Sequence, residues 1–597
     1  MTEVRKARPS YVAPAELVRT APVYVRWLRN RVRESEVWLL IVAVSLGLLT
    51  GAVTHLLAES SFYLHKVLYG VAVSKAERLS AQAHIPLWRL ASLPLGGLAL
   101  GIITWAWKRR RPGALIDPVE ANALWGGRMS LIDSLFVTGQ TLLSNGCGAS
   151  VGLEAAYAQM GAGLASTAGT RLKARRSDMR VLVGCGAGAA IAAAFGAPLT
   201  GAFYAFELIV GSYTVANVAP IVGASIAGYL ATQLLGGTAH LIDPNQIELA
   251  PEDYFACAGL GLVAAMVAVA LMRMVSLVEV LSMRAFPRWA QPAIGGLAVA
   301  AMAAATPEVL ASGHGALEKQ LLSMGPLSIL LAVFVLKAVA SAVSLGSGFR
   351  GGLFFASLFL GALLGQIYWS GLTRLGVHPL PDVTVTALVG MAALAAGVVG
   401  GPLTMSFLVL ETTGDFPLSG ATLAAALVCS LLVREFFGFS FSTWRFHLRG
   451  EAIRSAHDVG RIRSLTAGTM MRKNVPTTEA IISVADFRRR FPLGSTQRVI
   501  LLDESQHYAG LVLTADAYGA TLDSNTPVAQ IARQGQLALK PGTEIRQVMA
   551  AFEASGGDEL AVVDRDGHVL GLVTETYAAR RYAEELEKTR QELTGES

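Results

Sequence analysis

Chemistry in this chain concentrates in Gly146-Cys-Gly-Ala-Ser-Val-Gly-Leu-Glu-Ala-Ala-Tyr-Ala-Gln-Met-Gly161. In the middle of a long apolar region it sets Gly146, Gly148 and Gly152 close together and then an ionisable Glu154. Glycines crowded before a helical run leave backbone N–H groups pointing into open space, and a loop of this kind feeding a helix start is a ready anion site. A carboxylate at membrane depth is costly and by default marks a pathway or a relay. A glycine-rich helix contact, with Glu154 paired to an arginine, accounts for the stretch equally well when it is taken alone.

A second copy favours the pathway. The run Gly346-Ser-Gly-Phe-Arg-Gly-Gly-Leu-Phe-Phe-Ala-Ser-Leu-Phe-Leu-Gly361-Ala362 repeats Gly146, Gly148, Gly152, Leu153, Ala156, Gly161 and Ala162 at an offset of 200 residues, with Phe354 in place of Glu154. Pro198-Leu199-Thr200 with Phe203 and Glu207 matches Pro402-Leu403-Thr404 with Phe407 and Glu411 at an offset of 204. In membrane transporters, duplicated halves with Gly-interrupted helices place the substrate site at the repeat interface.

The elements that must position these residues are membrane spans. Hydrophobic residues make up 53% of the 597 and charged residues only 15%, with a mean hydropathy of +0.49, as in a multi-spanning membrane protein. The net charge of +6 gathers at the edges of apolar segments, as the positive-inside rule produces. No basic stripe with interleaved aromatics is present, which argues against nucleic acid. Cys147, Cys185, Cys257 and Cys429 are scattered singly and fit neither a disulfide framework nor a zinc site.

Residues 1–35 read as a cytoplasmic lead-in, with an amphipathic surface helix over Val23 to Arg33, and residues 36–450 as the membrane domain. Long apolar runs at 38–57 and 87–107 end at Lys108-Arg-Arg-Arg111, a cytoplasmic signal. Short, broken segments follow at 133–144, 153–166, 179–194, 198–211 and 216–235. The second half repeats the order, with long runs at 254–272 and 290–305, then 326–345, 353–371, 384–399, 402–413 and 420–437. Half-helices of this kind are tolerated at membrane depth only where they pack in protein or line a cavity.

Near Arg449 the composition becomes that of a soluble domain, with a linker over 451–464, a duplicated unit over 465–583 and a charged tail over 584–597. Leu502 to Val512 recurs as Val563 to Val573, so that Asp503/Asp564, His507/His568 and Gly510/Gly571 coincide at an offset of 61. Each copy reads strand, turn, strand, helix start, with Asp566-Gly567 as a hairpin signal. In the tail, Glu584 and Lys588 are spaced for a surface pair.

With these residues in view, the chain resembles the CLC family of chloride channels and proton-coupled chloride antiporters, followed by a tandem CBS-domain pair. The resemblance implies an α-helical multi-pass fold with an inverted internal repeat, a homodimer with one pore per subunit, and an α/β CBS pair. Carried over by position, Gly152-Leu153-Glu154-Ala155-Ala156 stands where the family has Gly-(Lys/Arg)-Glu-Gly-Pro. Glu154 then matches the gating glutamate, with Gly152, Leu153 and Ala155 beside it in the anion-binding run. Phe354 matches the aromatic of the family's Gly-x-Phe-x-Pro element, and the amides of Phe354 and Phe355 are implied anion donors.

Other positions depart from the family. Its Gly-Ser-Gly-Ile-Pro loop corresponds to Ala114-Leu115-Ile116-Asp117-Pro118, so the anion-binding serine becomes Leu115, with Ile116 next to it. The pore tyrosine of the last helix falls near Ser442, with Phe439 and Phe441 as neighbouring alternatives. Both hydroxyls are then absent, which opens bicarbonate, nitrate or fluoride beside chloride. Exchangers carry paired glutamates where this chain reads Glu207-Leu208. Leucine carries no proton, so passive or weakly coupled flux is expected. Glu207 is a proton-pathway candidate, but Glu207 and its partner Glu411 are more readily read as braces for helix ends.

In the CBS pair, Asp516 of one copy and Thr574 of the other keep parts of the nucleotide motif. An adenine nucleotide is therefore a candidate ligand, beside a purely structural role, and no cofactor is required. The expected location is the inner or plasma membrane, with the N-terminus and CBS pair cytoplasmic, the bilayer and a small inorganic anion as partners, and a homodimer as the assembly. Rival classes explain less. Gly346-x-Gly348-x-x-Gly351 lacks the strand that a dinucleotide site needs, and no phosphate-binding loop suggests an ATP-driven pump or other enzyme. A membrane-anchored sensor leaves the pore-like repeat unexplained.

Overall fold

Helix after helix in the first part of the chain is apolar around most of its circumference. The computed structural model describes Arg31 and residues 35–71, 78–237, 249–322, 324–377, 380–448, 465–519, 522–533 and 537–594. Expectations for the lead-in helix over Val23 to Arg33 and for the 451–464 linker lie outside the described residues. The chain divides into two units, Met1–Asp458 and Val459–Ser597.

Eight helices of the first unit, among the described residues, are long and apolar enough to cross a membrane, from Glu36–Tyr69 to Phe416–Arg445. Shorter apolar pieces, Gln291–Ala305, Val383–Val399 and Pro198–Val210, lie among them. The first helix has 34 residues and at 1.5 Å per residue is about 50 Å long, so it outruns the hydrocarbon core and must tilt or project. Helices end where the backbone requires it: Gly196, Gly211, Gly400 and Gly414 take positive φ as C-caps, a conformation glycine adopts without steric cost.

Small residues set the helix spacing, as expected where lipid removes the hydrophobic drive between helices. A Cβ on Gly161 would overlap the carbonyl of Gly186, and one on Gly361 would overlap that of Gly390. The two contacts are the same contact in each repeat. Duplication also shows in three reciprocal ties across a local two-fold. Gly152 and Gly352 exchange backbone hydrogen bonds of 3.0 and 3.3 Å as an isolated antiparallel bridge. The Ser144 hydroxyl accepts from the Arg350 amide, and the Ser344 hydroxyl from the Ser150 amide, each at 3.0 Å. Glu207 receives the Leu403 and Thr404 amides, while Glu411 receives those of Leu199 and Thr200.

The second unit carries two sheets of identical topology. Strands β1 (Thr477–Glu479), β2 (Arg498–Leu502) and β3 (Tyr508–Leu513) form one; β4 (Ala538–Leu539), β5 (Glu559–Val563) and β6 (Val569–Thr574) form the other. In each, the first strand runs parallel to the second and the third antiparallel, with a register shift at the same place. Ile500, Leu511, Ala561 and Leu572 join the copies in one buried cluster. At the hairpin turns, Asp503 accepts the Ser505 and His507 amides and Asp564 those of Asp566 and His568. Those amides, foremost His507 and His568, hold both carboxyls below the usual range. The final helix runs unbroken over Glu575–Thr594, across the expected boundary at 584. Glu584 pairs with Arg580 and Arg581; the side chain of Lys588 lies outside the described residues.

Candidate functional site

The antiparallel bridge between Gly152 and Gly352 brings two helix N-termini to one place. Helix Glu154–Arg171 begins after Leu153 and helix Phe354–Arg374 after Leu353. First-turn amides of a helix lack intrahelical acceptors and carry the positive end of its dipole. Glu154 sits between these starts, 3% exposed. Its carboxylate faces its own amide and that of Phe355, and Oε2 is buried without a hydrogen-bond partner. Gly152 makes room for this, since a Cβ there would overlap the carboxylate.

Aromatic rings enclose the place. Phe195 lies 5.0 Å from Phe354 and stacks at 6.2 Å on Phe355, centroid to centroid, while His314 stacks on the Phe355 ring at 3.4 Å. Tyr204 approaches Phe354 at 6.3 Å. Behind the first glycine loop, Asn145 donates to the Val151 carbonyl at 2.8 Å and to Ser312 at 3.0 Å, and the Ala311 amide donates to the Gly148 carbonyl at 3.0 Å. Lys337, fully buried, donates to the carbonyls of Val309 and Ala311 at 3.1 and 3.0 Å. It thereby clamps the loop that leads to His314.

Of the residues singled out from the sequence, Gly152, Leu153, Glu154, Ala155, Phe354 and Phe355 are brought together. Leu115 is half-buried. Ile116 packs toward Tyr204 and Leu208 in the cluster around Ala158 and Ile209, and its carbonyl accepts from Gln159. A cavity of 460 Å³ beside this loop is lined by residues including Ala114, Ile116, Trp125, Arg128 and Asp133, and not by Glu154 or Phe355. Ser442 is exposed; Phe441 is buried in the core, and Phe439 packs on Phe437 and Trp444. Ser440 lies against Gly400, where an added Cβ would be 2.9 Å from the Ser440 Cβ and 3.8 Å from Leu208.

Glu207 serves as a helix cap. Its carboxylate takes the Leu403 amide at 3.0 Å, the Thr404 amide at 2.8 Å and the Thr404 hydroxyl at 2.6 Å. Glu411 does the same for Leu199 and Thr200 at 2.7, 2.8 and 2.7 Å. In the second unit, Asp516 is paired with Arg533 at 2.8 Å, and Thr574, half-buried, ends β6 opposite Glu559. Sequence reasoning passed over Phe195, Tyr204, His314 and Lys337. For Lys337 the signal was available: it is the one charged residue of the apolar run 327–346.

Residues 96–434 match the family model described as voltage gated chloride channel, which is more than half of the chain. The chain belongs to the CLC family. Among its CLC relatives is the voltage-gated ClC-type chloride channel ClcB of Citrobacter koseri, 30% identical over 372 residues, which cover 60% of this chain and 87% of that protein. The CLC fold is seen in a slow cyanobacterial Cl-/H+ antiporter, with a TM-score of 0.58 and 22% identity over 69% of this chain and 97% of that one. A eukaryotic CLC transporter matches with a TM-score of 0.57 and 16% identity over 93% of this chain and 98% of that one. As a CLC protein this is a multi-pass membrane protein of the anion-transport class and not an enzyme.

Proposed function

We propose that the chain moves a small monovalent anion through a pathway gated by Glu154. The observation that carries this reading is the convergence of two helix starts, one from each repeat, on a single buried carboxylate with an unpartnered oxygen. Amide donors that hold a carboxylate also hold a small anion, and their partial charges bind it without preventing release. Glu154 is thus the occupant that an anion must displace. Chloride is the first candidate. Leu115 and Ser442 in place of the family's hydroxyl ligands open the site to bicarbonate, nitrate or fluoride.

Flux is passive or weakly proton-coupled in this reading. Leu208 stands where exchangers place their second glutamate, and the Glu207 carboxylate is engaged with three donors at a helix end. Lys108 to Arg111 and the cluster Arg171 to Arg180 support a cytoplasmic N-terminus and C-terminal unit, in the inner or plasma membrane. We read the protein as a homodimer on the family resemblance, and the duplicated C-terminal sheets as a CBS pair.

Flux from proteoliposomes tests the reading, with chloride, bicarbonate, nitrate and fluoride compared and proton movement recorded. Wild type should carry at least one of these anions, and Glu154→Ala should speed flux and abolish its acid dependence. Uphill proton movement driven by chloride would replace weak coupling with antiport. No flux of any anion would leave a membrane-anchored sensor as the better reading.

A further inference from the structure

Neither position that the resemblance assigns to a hydroxyl ligand supplies a donor to the site among the described residues, since Leu115 has no hydroxyl and Ser442 is exposed. A replacement comes from a different element. Tyr204 is the last residue of helix Pro198–Tyr204, where the backbone widens into the π-helical turn Ala205–Val210; such turns often re-aim a side chain at a functional site. The second repeat has no such widening: Pro402–Thr413 is one α-helix, and the residue matching Tyr204 is the buried Leu408. The phenol is therefore present only in the half that carries Glu154.

Several contacts fix where it sits. The Tyr204 ring lies 6.3 Å from that of Phe354 and packs in the cluster that includes Ile116 and Leu208. Its hydroxyl is within electrostatic range of the Asp117 and Glu154 carboxylates, yet it makes no hydrogen bond among the described residues. The Asp117 side chain is already engaged as the N-cap of helix Pro118–Leu124, accepting the Glu120 amide at 2.9 Å. A neutral phenol is a strong single donor that can serve either a carboxylate or a small anion.

We propose that the Tyr204 hydroxyl is the side-chain donor of the anion site, supplying the hydrogen bond that Leu115 and Ser442 cannot. The proposal rests on the anion-pathway reading above. The donor would then reach the site from the Pro-Leu-Thr helix of the first repeat, and the phenol O–H would complement the Phe355 amide. A single hydroxyl would favour compact, strongly accepting anions over nitrate, whose charge is spread over three oxygens.

Tyr204→Phe removes the hydroxyl and keeps the ring. Chloride and nitrate are the probes, in proteoliposome flux and in calorimetric titration of the detergent-purified full chain. Tyr213→Phe, at a ring packed on Phe203 and Phe206, is the control. The half-saturating chloride concentration and the chloride Kd of Tyr204→Phe should rise about tenfold, the order of one hydrogen bond to a charged partner. Nitrate should shift less, and the melting temperature should not move. Unchanged chloride affinity would overturn the proposal, and so would an equal loss for both anions. A drop in melting temperature at unchanged affinity would assign the hydroxyl to Asp117 instead. Wild-type protein that neither binds nor moves chloride, bicarbonate, nitrate or fluoride would overturn the pathway reading itself.

Discussion

Gly152 holds one corner of the site by having no side chain. The Glu154 carboxylate folds back over it, into the space a Cβ would take. Gly152 also exchanges hydrogen bonds with Gly352, so the backbone is pinned while the carboxylate is the part able to move. Gly152→Ala should therefore displace Glu154 from the paired amides and raise anion flux in the direction of Glu154→Ala, with a stability loss of about 1–3 kcal/mol from overpacking. The combined Gly152→Ala/Glu154→Ala variant should conduct like Glu154→Ala alone. Slower flux in the single variant, measured in proteoliposomes, would contradict this account of the gate.

Among the elements, the short Pro-Leu-Thr helices are held by swapped caps. Each begins with a proline that supplies no N–H, and its next two amides are bound by a glutamate from the other repeat, Glu411 for the first and Glu207 for the second. Phe203 stacks on Phe407 at 4.1 Å between them. Charge-assisted bonds to helix N-termini are strong, and loss of a cap costs about 0.5–2 kcal/mol. Glu207→Gln and Glu411→Gln should both lower the melting temperature in detergent, to a similar extent. The role of Glu207 follows from that comparison. A large change in proton movement for Glu207→Gln without loss of stability would make it a proton carrier; equal destabilisation by both variants would make it a brace.

At the scale of the whole molecule, two bodies each consist of a duplicated unit, and each duplication serves a different end. In the membrane unit the copies diverge at the site: Glu154 is matched by Phe354, and Tyr204 by Leu408. The second unit kept its repeats closer, down to matching turns at Asp503 and Asp564 and the His507–His568 bridge. Its nucleotide candidates are unequal, since Asp516 is already paired with Arg533. If the duplicated C-terminal unit, proposed above as a CBS pair, binds an adenine nucleotide, calorimetry of the full chain with AMP or ATP should give saturable heat, and Asp516→Asn and Thr574→Val should each weaken binding about tenfold. No heat at millimolar nucleotide would leave the unit a structural role.

The sequence by itself determined the apolar segments, the two duplications and the residues at the helix starts, but not every length: 179–194 and 216–235, read as short and broken, are the span-length helices Arg176–Phe195 and Val215–Leu234, and the long run 290–305 is the shorter Gln291–Ala305. Apolar runs must form helices in lipid because their backbone groups have no other partners, and an offset of 200 residues between two matching glycine loops is visible without coordinates. Expected segments such as 402–413 and 384–399 fall on helices Pro402–Thr413 and Val383–Val399. Only tertiary structure decided which side chains meet. The exchange of caps between Glu207 and Glu411 joins residues about two hundred apart, and nothing in either local pattern names its acceptor. Ser144 and Ser344 read as ordinary helix serines until the opposite loop's amide is laid against each. In the sequence Tyr204 is one more aromatic of a short apolar segment. A widened turn, invisible in the residue pattern, follows it, and a neighbour from the other half, Phe354, lies 6.3 Å from its ring. Periodicity reports a residue's own element, whereas a site is made where several elements converge.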